Sequence, residues 1–390
     1  MNIVFVTPEF IDNNGPTSGL PKYLLRVSKV LLKWNHKVMI VTCSNRTVTY
    51  YFEGIKIYRV RRPAIIKYND FEKDAVSACL RDSSIVHSVL KQICNKESID
   101  IIQYASLAGL AYFHDFDIPA VVRLSSYACM CPVVGREEYQ NSLAMVEREV
   151  ANKCDAVFGP SYVVANKFSE DTGVDVDVIE TPFILETDKE EDSIYHEIFI
   201  NKRYILFYGT LIEYKGLQVI AGAAYTILSK YKDIYIGIIG DGNKKLIDEI
   251  IRGAAEFSDR IIYHPAVGFS QLKPVICHAE SIMLPSLMEN LSNACIECMA
   301  LGQIVIGTRG ASFDQLIDDG QSGFLCEIGD SVSLLQAVDR VMALTTEQKK
   351  VICHNAQKRA ERLSPDIVVN QLIEYYKKVI SDFKTREEKK

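Results

Sequence analysis

Short runs rich in β-branched residues alternate with amphipathic helical patterns along most of this chain. The first unit contains a strand pattern at Asn2–Thr7, apolar residues at helical spacing over Leu20–Lys33 and a second strand pattern at Lys37–Thr42. A strand, a helix and a returning strand in this order favour parallel pairing of the two strands. A second series begins at Tyr204–Tyr208 and continues to Ile304–Gly307. The alternation therefore predicts an α/β protein with two doubly wound domains.

A polar segment lies between the two series and is predicted to link them. This segment, Asp171–Ser193, is rich in acidic residues and contains Pro182. A length of 390 residues also suits two domains. We expect an N-terminal domain over residues 1–185 and a C-terminal domain over residues 200–365. An amphipathic helix over residues 366–383 is expected to cross back to the N-terminal domain, and the charged tail after it is expected to fray.

Composition and charge exclude several classes of protein. The chain has 44 Lys+Arg against 50 Asp+Glu, a net charge of −6, which does not suit a nucleic-acid binder. No apolar run reaches the roughly 18–20 residues that span a bilayer, and no secretory signal pattern follows Met1–Thr7. The eleven cysteines are an odd number spread along the chain, so no disulfide framework is expected. We therefore expect a cytoplasmic protein with no nucleic-acid partner.

Three short patterns could be taken for metal sites. They are the cysteine pairs Cys129/Cys131 and Cys295/Cys298 and the acidic pair Asp175/Asp177. A structural zinc site needs four ligands, usually from two pairs of compatible spacing, whereas these cysteine pairs are far apart in sequence. The acidic pair lies in a connector, and such a pattern arises often by chance. We expect buried free thiols and neither a metal nor a cofactor.

The most informative segment is Leu284–Gly307, with the sequence LPSLMENLSNACIECMALGQIVIG. A strand ends at its start, a loop delivers Glu289, and a helix begins nearby. Glu297 follows Glu289 by eight residues, and its carboxylate could hydrogen-bond a ribose diol. The alternative, two solvated surface charges, conflicts with the apolar neighbours of Glu297. N–H groups at a helix N-terminus bind anions, and three residues are expected to present them here: Asn290, Leu291 and Ser292.

Three further elements contain glycine near a predicted strand end or helix start. In Phe207–Gly216 (FYGTLIEYKG), Gly209 ends a strand and Lys215 precedes a helix, where its charge suits a diphosphate. Gly240 opens a turn after the strand pattern of IIGDG. The N-terminal loop ends at Ser18 and Gly19, and a glycine there lets the backbone approach a phosphate or sugar closely.

Together these residues resemble the retaining glycosyltransferases of family 4, and the resemblance covers nearly the whole chain. Glu289 and Glu297 match the family's Glu-x7-Glu signature, and GTLIEYKG matches its diphosphate-binding segment. The resemblance implies the GT-B fold, in which two Rossmann-like domains face an interdomain cleft. It implies an acceptor-binding N-terminal domain and a C-terminal domain that binds the nucleotide sugar. The implied catalytic residues are Lys215 and Glu289, and the implied donor-binding residues are Gly19, Gly209, Thr210, Gly240, Asn290, Leu291, Ser292 and Glu297.

Three positions depart from the family pattern. Thr210 stands where the family has an arginine on the diphosphate, Ser125 where it has a histidine on the donor sugar, and Gln315 where it has an acidic residue. The diphosphate would then contact a single cation of GTLIEYKG, Lys215, unless Arg309 or Arg123 also reaches it. We expect these departures to affect which donor sugar the protein uses and, to a smaller degree, the rate of transfer.

The resemblance predicts a metal-independent, retaining hexosyltransferase. It would move a sugar from a UDP- or GDP-sugar to a hydroxyl of a glycan or lipid-linked acceptor, in cell-surface polysaccharide or glycoconjugate synthesis. Two alternatives are a catalytically silent sugar-nucleotide-binding protein and a GT-B-fold sugar-nucleotide epimerase. The epimerase would need further acid/base carboxylates and a histidine in the cleft, and the sequence shows no clear set. Hydrolysis of donor without acceptor would separate an enzyme from the silent binder.

The N-terminal part of the chain is strongly basic. Residues 1–67 contain eleven cations and three anions, a net charge of +8. Within it, Lys56–Lys67 interleaves cations with isoleucine, tyrosine and valine. Such a pattern suits an anionic membrane surface or a lipid diphosphate, and a peripheral contact with the inner membrane face is one interpretation. An ordinary solvated face is the other.

Overall fold

The chain divides into two compact units in a computed structural model. The first unit comprises Met1–Pro182 with Ser364–Lys390, and the second comprises Phe183–Leu363. Each unit is built on its own sheet. The structure describes residues 1–11, 19–62, 75–130, 137–185 and 191–389.

The first sheet is parallel apart from one edge hairpin. Its strands are β1 (Asn2–Thr7), β2 (Lys37–Ser44), β3 (Val48–Phe52), β4 (Ile55–Arg61), β5 (Ile101–Ala105), β6 (Ala120–Arg123), β7 (Ala156–Gly159) and β8 (Val176–Val178). Their order is β3-β4-β2-β1-β5-β6-β7-β8, and among the described strand pairs only β3 and β4 run antiparallel. In the centre, Val4 of β1 lies opposite Met39 of β2 and Ile102 of β5. The apolar sequence of β1 fits this position, because a central parallel strand is covered on both faces.

In the described part of the chain, the helices of this sheet before the second unit are α1 (Gly19–Lys33), α2 (Ala75–Cys94), α3 (Glu137–Ala151) and α4 (Tyr162–Thr172). The linker predicted for Asp171–Ser193 is wrong in its first half, which contains the end of α4 and strand β8. Gly173 ends α4 in the left-handed conformation, with φ of +72°. The strand β8 is a short, half-exposed edge strand with an Asp at its centre, so its sequence is as polar as that of a linker.

The second sheet is parallel throughout its described pairs. Its strands are β9 (Arg203–Tyr208), β10 (Ile234–Ile239), β11 (Ile261–His264), β12 (Ser281–Leu284), β13 (Val305–Thr308) and β14 (Phe324–Cys326), in the order β11-β10-β9-β12-β13-β14. Its helices are α5 (Leu217–Lys230), α6 (Lys245–Ala254), α7 (Phe269–Cys277), α8 (Asn293–Ala300), α9 (Phe313–Leu316), α10 (Ser331–Met342) and α11 (Thr346–Glu361). Because the strands are parallel, the loops after β9, β10 and β12 emerge at one edge.

The final helix, α12 (Pro365–Glu387), belongs to the first unit. Its Val369, Leu372 and Tyr376 are buried in one hydrophobic core with residues of α1 and β1. The Tyr376 hydroxyl donates a hydrogen bond to Gln103 of β5. The expectation of a frayed tail is wrong up to Glu387, since the helix continues and Arg386 pairs with Asp155.

Candidate functional site

Three loops make direct backbone contact at the carboxyl edge of the second sheet. A Cβ atom at Gly240 would lie 1.9 Å from the carbonyl oxygen of Gly209, and one at Gly216 would lie 1.8 Å from that of Pro285. Neither position can hold a larger residue without moving the backbone, and Gly216 also has a φ of +76°. These glycines therefore join the loops after β9, β10 and β12 into one surface.

Lys215 and Glu289 form an ion pair on this surface, although 74 residues separate them in sequence. The backbone brings them together, since the N–H of Leu287 donates to the carbonyl of Tyr214 at 2.8 Å. Lys215 Nζ donates to Oε1 of Glu289, and the Ser286 hydroxyl donates to the same oxygen at 3.3 Å. The side chains of the pair are 25% and 14% exposed, so a ligand can reach both.

Helix α8 starts beside this ion pair. Ser292 is its N-cap, and the Ser292 Oγ accepts a hydrogen bond from the N–H of Cys295 at 3.3 Å. The N–H groups of Asn293 and Ala294 precede that capped position and have no acceptor within the helix. The helix N-terminus thus follows the expected anion-binding turn at residues 290–292. The helix begins at Asn293, one residue after the predicted start near Ser292, because an N-cap serine and a first helical residue look alike in a sequence.

Glu297 lies in the middle of α8 and receives a hydrogen bond from the sheet. The hydroxyl of Tyr208, the last residue of β9, lies 3.0 Å from Oε2 of Glu297 and 2.9 Å from the carbonyl oxygen of Ala294. The Sγ of Cys298 lies 3.4 Å away. Burial, and the neighbouring thiol and carboxylate, raise the pKa of Tyr208 well above its ordinary value. Sequence reasoning missed Tyr208, and its position directly before Gly209 at a strand end was the available signal.

Two other predicted residues of this unit, Thr210 and Arg309, lie outside the ion pair of Lys215 and Glu289. Thr210 is exposed in the loop between Gly209 and the start of the 3-10 turn. The guanidinium of Arg309 pairs with Glu327 at 3.2 Å and with Asp319 at 3.3 Å. Among the contacts described for this chain, none joins Arg309 to Lys215. The second cation proposed for the diphosphate is therefore held by other carboxylates in this structure.

Arg123 lies at the end of β6 in the first unit and is 4% exposed. Its two terminal nitrogens donate to Ser125 at 3.1 Å and to Thr181 at 3.0 Å. Its guanidinium carbon lies 3.7 Å from the centre of the Tyr23 ring. Burial lowers the pKa of this guanidinium. As placed, Arg123 anchors the segments that contain Ser125 and Thr181 and offers almost no surface to a ligand.

A buried carboxyl group supports the same loop. Glu147 of α3 is 3% exposed, and its Oε2 accepts a hydrogen bond from the N–H of Ala128 at 2.9 Å. Burial raises the pKa of Glu147 from 4.5 to about 8. The loop is closed further by the N–H of Ser125, which donates to Ser106 Oγ at 3.3 Å. Neither the spacing nor the charge pattern of the sequence singled out Glu147.

The basic segment of the first unit forms one wall of a pocket of about 370 Å³. Lys56 and Tyr58 of β4 lie on it, together with Lys96 beyond α2. Lys56 pairs with Glu97 at 2.7 Å, so part of the positive charge is neutralised. Residues 63–67 of the basic cluster, and Ser18 of the glycine loop, lie outside the described residues, whereas Gly19 is the first residue of α1.

In the part of the chain that the structure describes, the members of the cysteine and acidic pairs belong to no cluster of possible metal ligands. Within the described residues, no group of three or more His, Cys, Asp or Glu side chains could hold a metal ion. Cys131 lies outside that part of the chain, Cys295 and Cys298 are buried free thiols, and Asp177 is on β8. No helix in the described ranges has both the length and the apolar character needed to cross a membrane.

Comparison with known proteins identifies relatives of both units. A family described as Glycosyl transferases group 1 matches residues 202–343. An uncharacterized glycosyltransferase of Bacillus subtilis is 20% identical over 98% of this chain and 99% of its own length. The alpha-D-kanosaminyltransferase of Streptomyces kanamyceticus is 22% identical over 70% of this chain and 75% of its own length.

The fold has solved counterparts. The structure of Anabaena HepE in complex with UDP superposes with a TM-score of 0.70 at 16% identity, over 97% of this chain and 100% of that one. The prediction of the GT-B fold, with two Rossmann-like α/β domains, is confirmed.

Proposed function

Because this chain is a glycosyltransferase of the family 4 type, we propose that it transfers a sugar from a UDP- or GDP-sugar with retention at the anomeric carbon. The acceptor is a hydroxyl of a glycan or lipid-linked molecule, as in cell-surface polysaccharide or glycoconjugate synthesis. The observation that carries the proposal is the ion pair of Lys215 and Glu289, which lies beside the N-terminus of α8. The same helix contains Glu297. The UDP bound in Anabaena HepE supports a nucleotide donor.

The residues of this surface suit a departing diphosphate. Lys215 has three N–H donors, so it can keep its bond to Glu289 and donate to a phosphate oxygen as well. The N–H groups of Asn293 and Ala294 add the positive end of a helix dipole. Glu289 then holds hydroxyls of the donor sugar, and Glu297 holds the ribose. Asn290, Leu291, Gly209, Thr210 and Gly240 remain proposed contacts of the donor.

The proposed reaction needs no dedicated base. The bond from the anomeric carbon to the diphosphate oxygen breaks, and a bond to the acceptor oxygen forms on the same face. The acceptor proton passes to the departing phosphate oxygen. The protein positions the reactants and stabilises the negative charge that develops on the diphosphate. We propose that no metal is required, so activity after EDTA treatment should be unchanged.

A donor panel tests this function. Purified enzyme is incubated with UDP- and GDP-sugars and a cell-envelope lipid extract, and products are identified by mass spectrometry. The anomeric configuration of an isolated product is read from its NMR coupling constant. A product of inverted configuration would exclude retention. Nucleotide binding with neither transfer nor donor hydrolysis across the panel would favour the silent binder.

The basic segment of residues 1–67 supports a proposed contact with the inner membrane face, where a cytoplasmic enzyme would meet a lipid-linked acceptor. Lys56 and Lys96 line the pocket described above, and Arg61 at the end of β4 is exposed. Co-sedimentation with vesicles, with and without anionic lipid, tests it. Binding that requires anionic lipid and falls with salt supports the contact, and equal recovery from both vesicle types contradicts it.

A further inference from the structure

The hydroxyl of Tyr208 is placed to act on Glu297. It lies at the end of β9, with Glu297 Oε2 at 3.0 Å, the Ala294 carbonyl oxygen at 2.9 Å and Cys298 Sγ at 3.4 Å. A phenol has one proton, so it donates to one of these acceptors at a time. A hydrogen bond to an ionised carboxylate is stronger than one to a neutral carbonyl. The Ala294 carbonyl can also accept from the N–H four residues later in the helix. Glu297 is therefore the favoured acceptor.

The surroundings keep Tyr208 a permanent donor. The side chain is 7% exposed, and burial raises its pKa well above the ordinary value. The phenol thus stays protonated across the physiological pH range. A bond from the sheet to Oε2 restricts rotation of the Glu297 carboxylate.

We propose that Tyr208 is a positioning residue that sets affinity for the nucleoside part of the donor, by holding the Glu297 carboxylate in the orientation that accepts the ribose hydroxyls. The inference rests on the proposed function, because it needs a nucleotide at this site. In this proposal Tyr208 acts only through Glu297 and does not contact the diphosphate or the reacting atoms. Its loss therefore acts on binding of the nucleoside and leaves chemistry at saturating donor intact.

The strand β9 also supplies a matched control. Tyr204 lies on the same strand, is fully buried, and donates its hydroxyl to a backbone carbonyl, that of Val275, at 2.5 Å. Replacing either tyrosine by phenylalanine removes one buried hydroxyl and keeps the ring. Only the change at Tyr208 removes a contact with Glu297.

The experiment measures binding of UDP and GDP by calorimetry to the wild type, Tyr208→Phe and Tyr204→Phe. For the nucleotide that binds, Tyr208→Phe should raise Kd about tenfold, the size of one hydrogen bond to a charged group. Inorganic pyrophosphate, which has no ribose, should bind both variants as it binds the wild type. The 2′,3′-dideoxy form of the same nucleotide should bind the wild type and Tyr208→Phe equally. The donor KM should rise while kcat holds.

Several outcomes overturn the inference. Equal losses in both variants, or an equal loss for pyrophosphate, would show a general structural effect. Unchanged nucleotide affinity in Tyr208→Phe would remove the proposed role altogether. A Glu297→Ala background, which removes the acceptor, provides a second measurement, in which adding Tyr208→Phe should weaken nucleotide binding little further. If the wild type binds neither nucleotide, the proposed function fails first, and the inference fails with it.

Discussion

The carboxyl edges of the two sheets use their charged residues in opposite ways. At the second sheet, Lys215 and Glu289 pair with each other and stay partly exposed. At the first sheet, Arg123 and Glu147 are 4% and 3% exposed and bond to neighbouring loops. The comparison teaches that a charged side chain near the carboxyl edge of a sheet is available to a ligand only when solvent can reach it. The buried ionisable groups of the first unit bond to neighbouring segments instead: Arg123 to the hydroxyls of Ser125 and Thr181, and Glu147 to the N–H of Ala128.

The largest expected effect comes from removing the exposed cation. Lys215→Ala should lower kcat/KM for transfer about 10²–10³-fold, because it deletes a donor to the charge that develops on the diphosphate. The free energy of unfolding should change by less than about 1 kcal/mol, since the pair is partly exposed. Steady-state assays and urea unfolding measure the two quantities.

Lys230→Ala is the control, because Lys230 also pairs with a carboxylate, that of Asp339, but lies on the exposed face of α5. It should transfer sugar at the normal rate. A Lys215→Ala enzyme that also worked normally would remove the contrast between the two edges.

The buried cation should show the reverse pattern. Arg123→Met should lower the free energy of unfolding by about 3 kcal/mol, because the hydroxyls of Ser125 and Thr181 lose their donor and the Tyr23 ring loses its cation. Transfer per folded molecule should stay within a few fold of the wild type. Urea unfolding and assays well below the denaturation midpoint test this. A collapse of kcat with full stability would place Arg123 with the ligand instead.

The buried carboxyl group of Glu147 should make the free energy of unfolding depend on pH. Burial raises the pKa of Glu147 from 4.5 to about 8, so between these values the native state binds a proton that the unfolded state has released. The free energy of unfolding should therefore fall as pH rises through this window, by roughly 4–5 kcal/mol at about 1.36 kcal/mol per pKa unit. The neighbouring Arg148 acts against this shift but is outweighed by burial. Denaturant unfolding from pH 5 to 8.5 measures the slope.

Glu147→Gln keeps an acceptor for the N–H of Ala128 and cannot lose a proton. Its unfolding free energy should fall less steeply over the same window than that of the wild type. Parallel curves for the two proteins would show that Glu147 is not the group that titrates.

The smallest effect is expected at Arg309. Its guanidinium is 46% exposed and paired with Asp319 and Glu327, away from the Lys215 pair in every contact described. Arg309→Gln should leave kcat/KM within about twofold and the unfolding free energy within about 0.5 kcal/mol. A loss comparable to that of Lys215→Ala would mean that Arg309 leaves its carboxylates when the donor binds.

Much of the candidate site was predictable because the motif residues follow strand ends. Glu289, Glu297 and Lys215 each belong to a short pattern of strand, loop and helix, and parallel strands bring such loops to one edge. Tyr208 was missed because an apolar strand ending in tyrosine is ordinary. Its role as a hydrogen-bond donor depends on α8 lying next to the end of β9, and no local sequence pattern indicates that packing.

Periodicity and spacing determined the two α/β units, the parallel sheets and the three charged residues of the second edge, since these depend on local preference and on chain connectivity. Burial was decided only by the tertiary structure. The sequence shows Arg123 and Glu147 as charges like any others, and only the tertiary structure removes them from water, with Arg123 against the Tyr23 ring of α1. The free energy of a charged group depends on its solvation and its partners, and both come from residues distant in the chain.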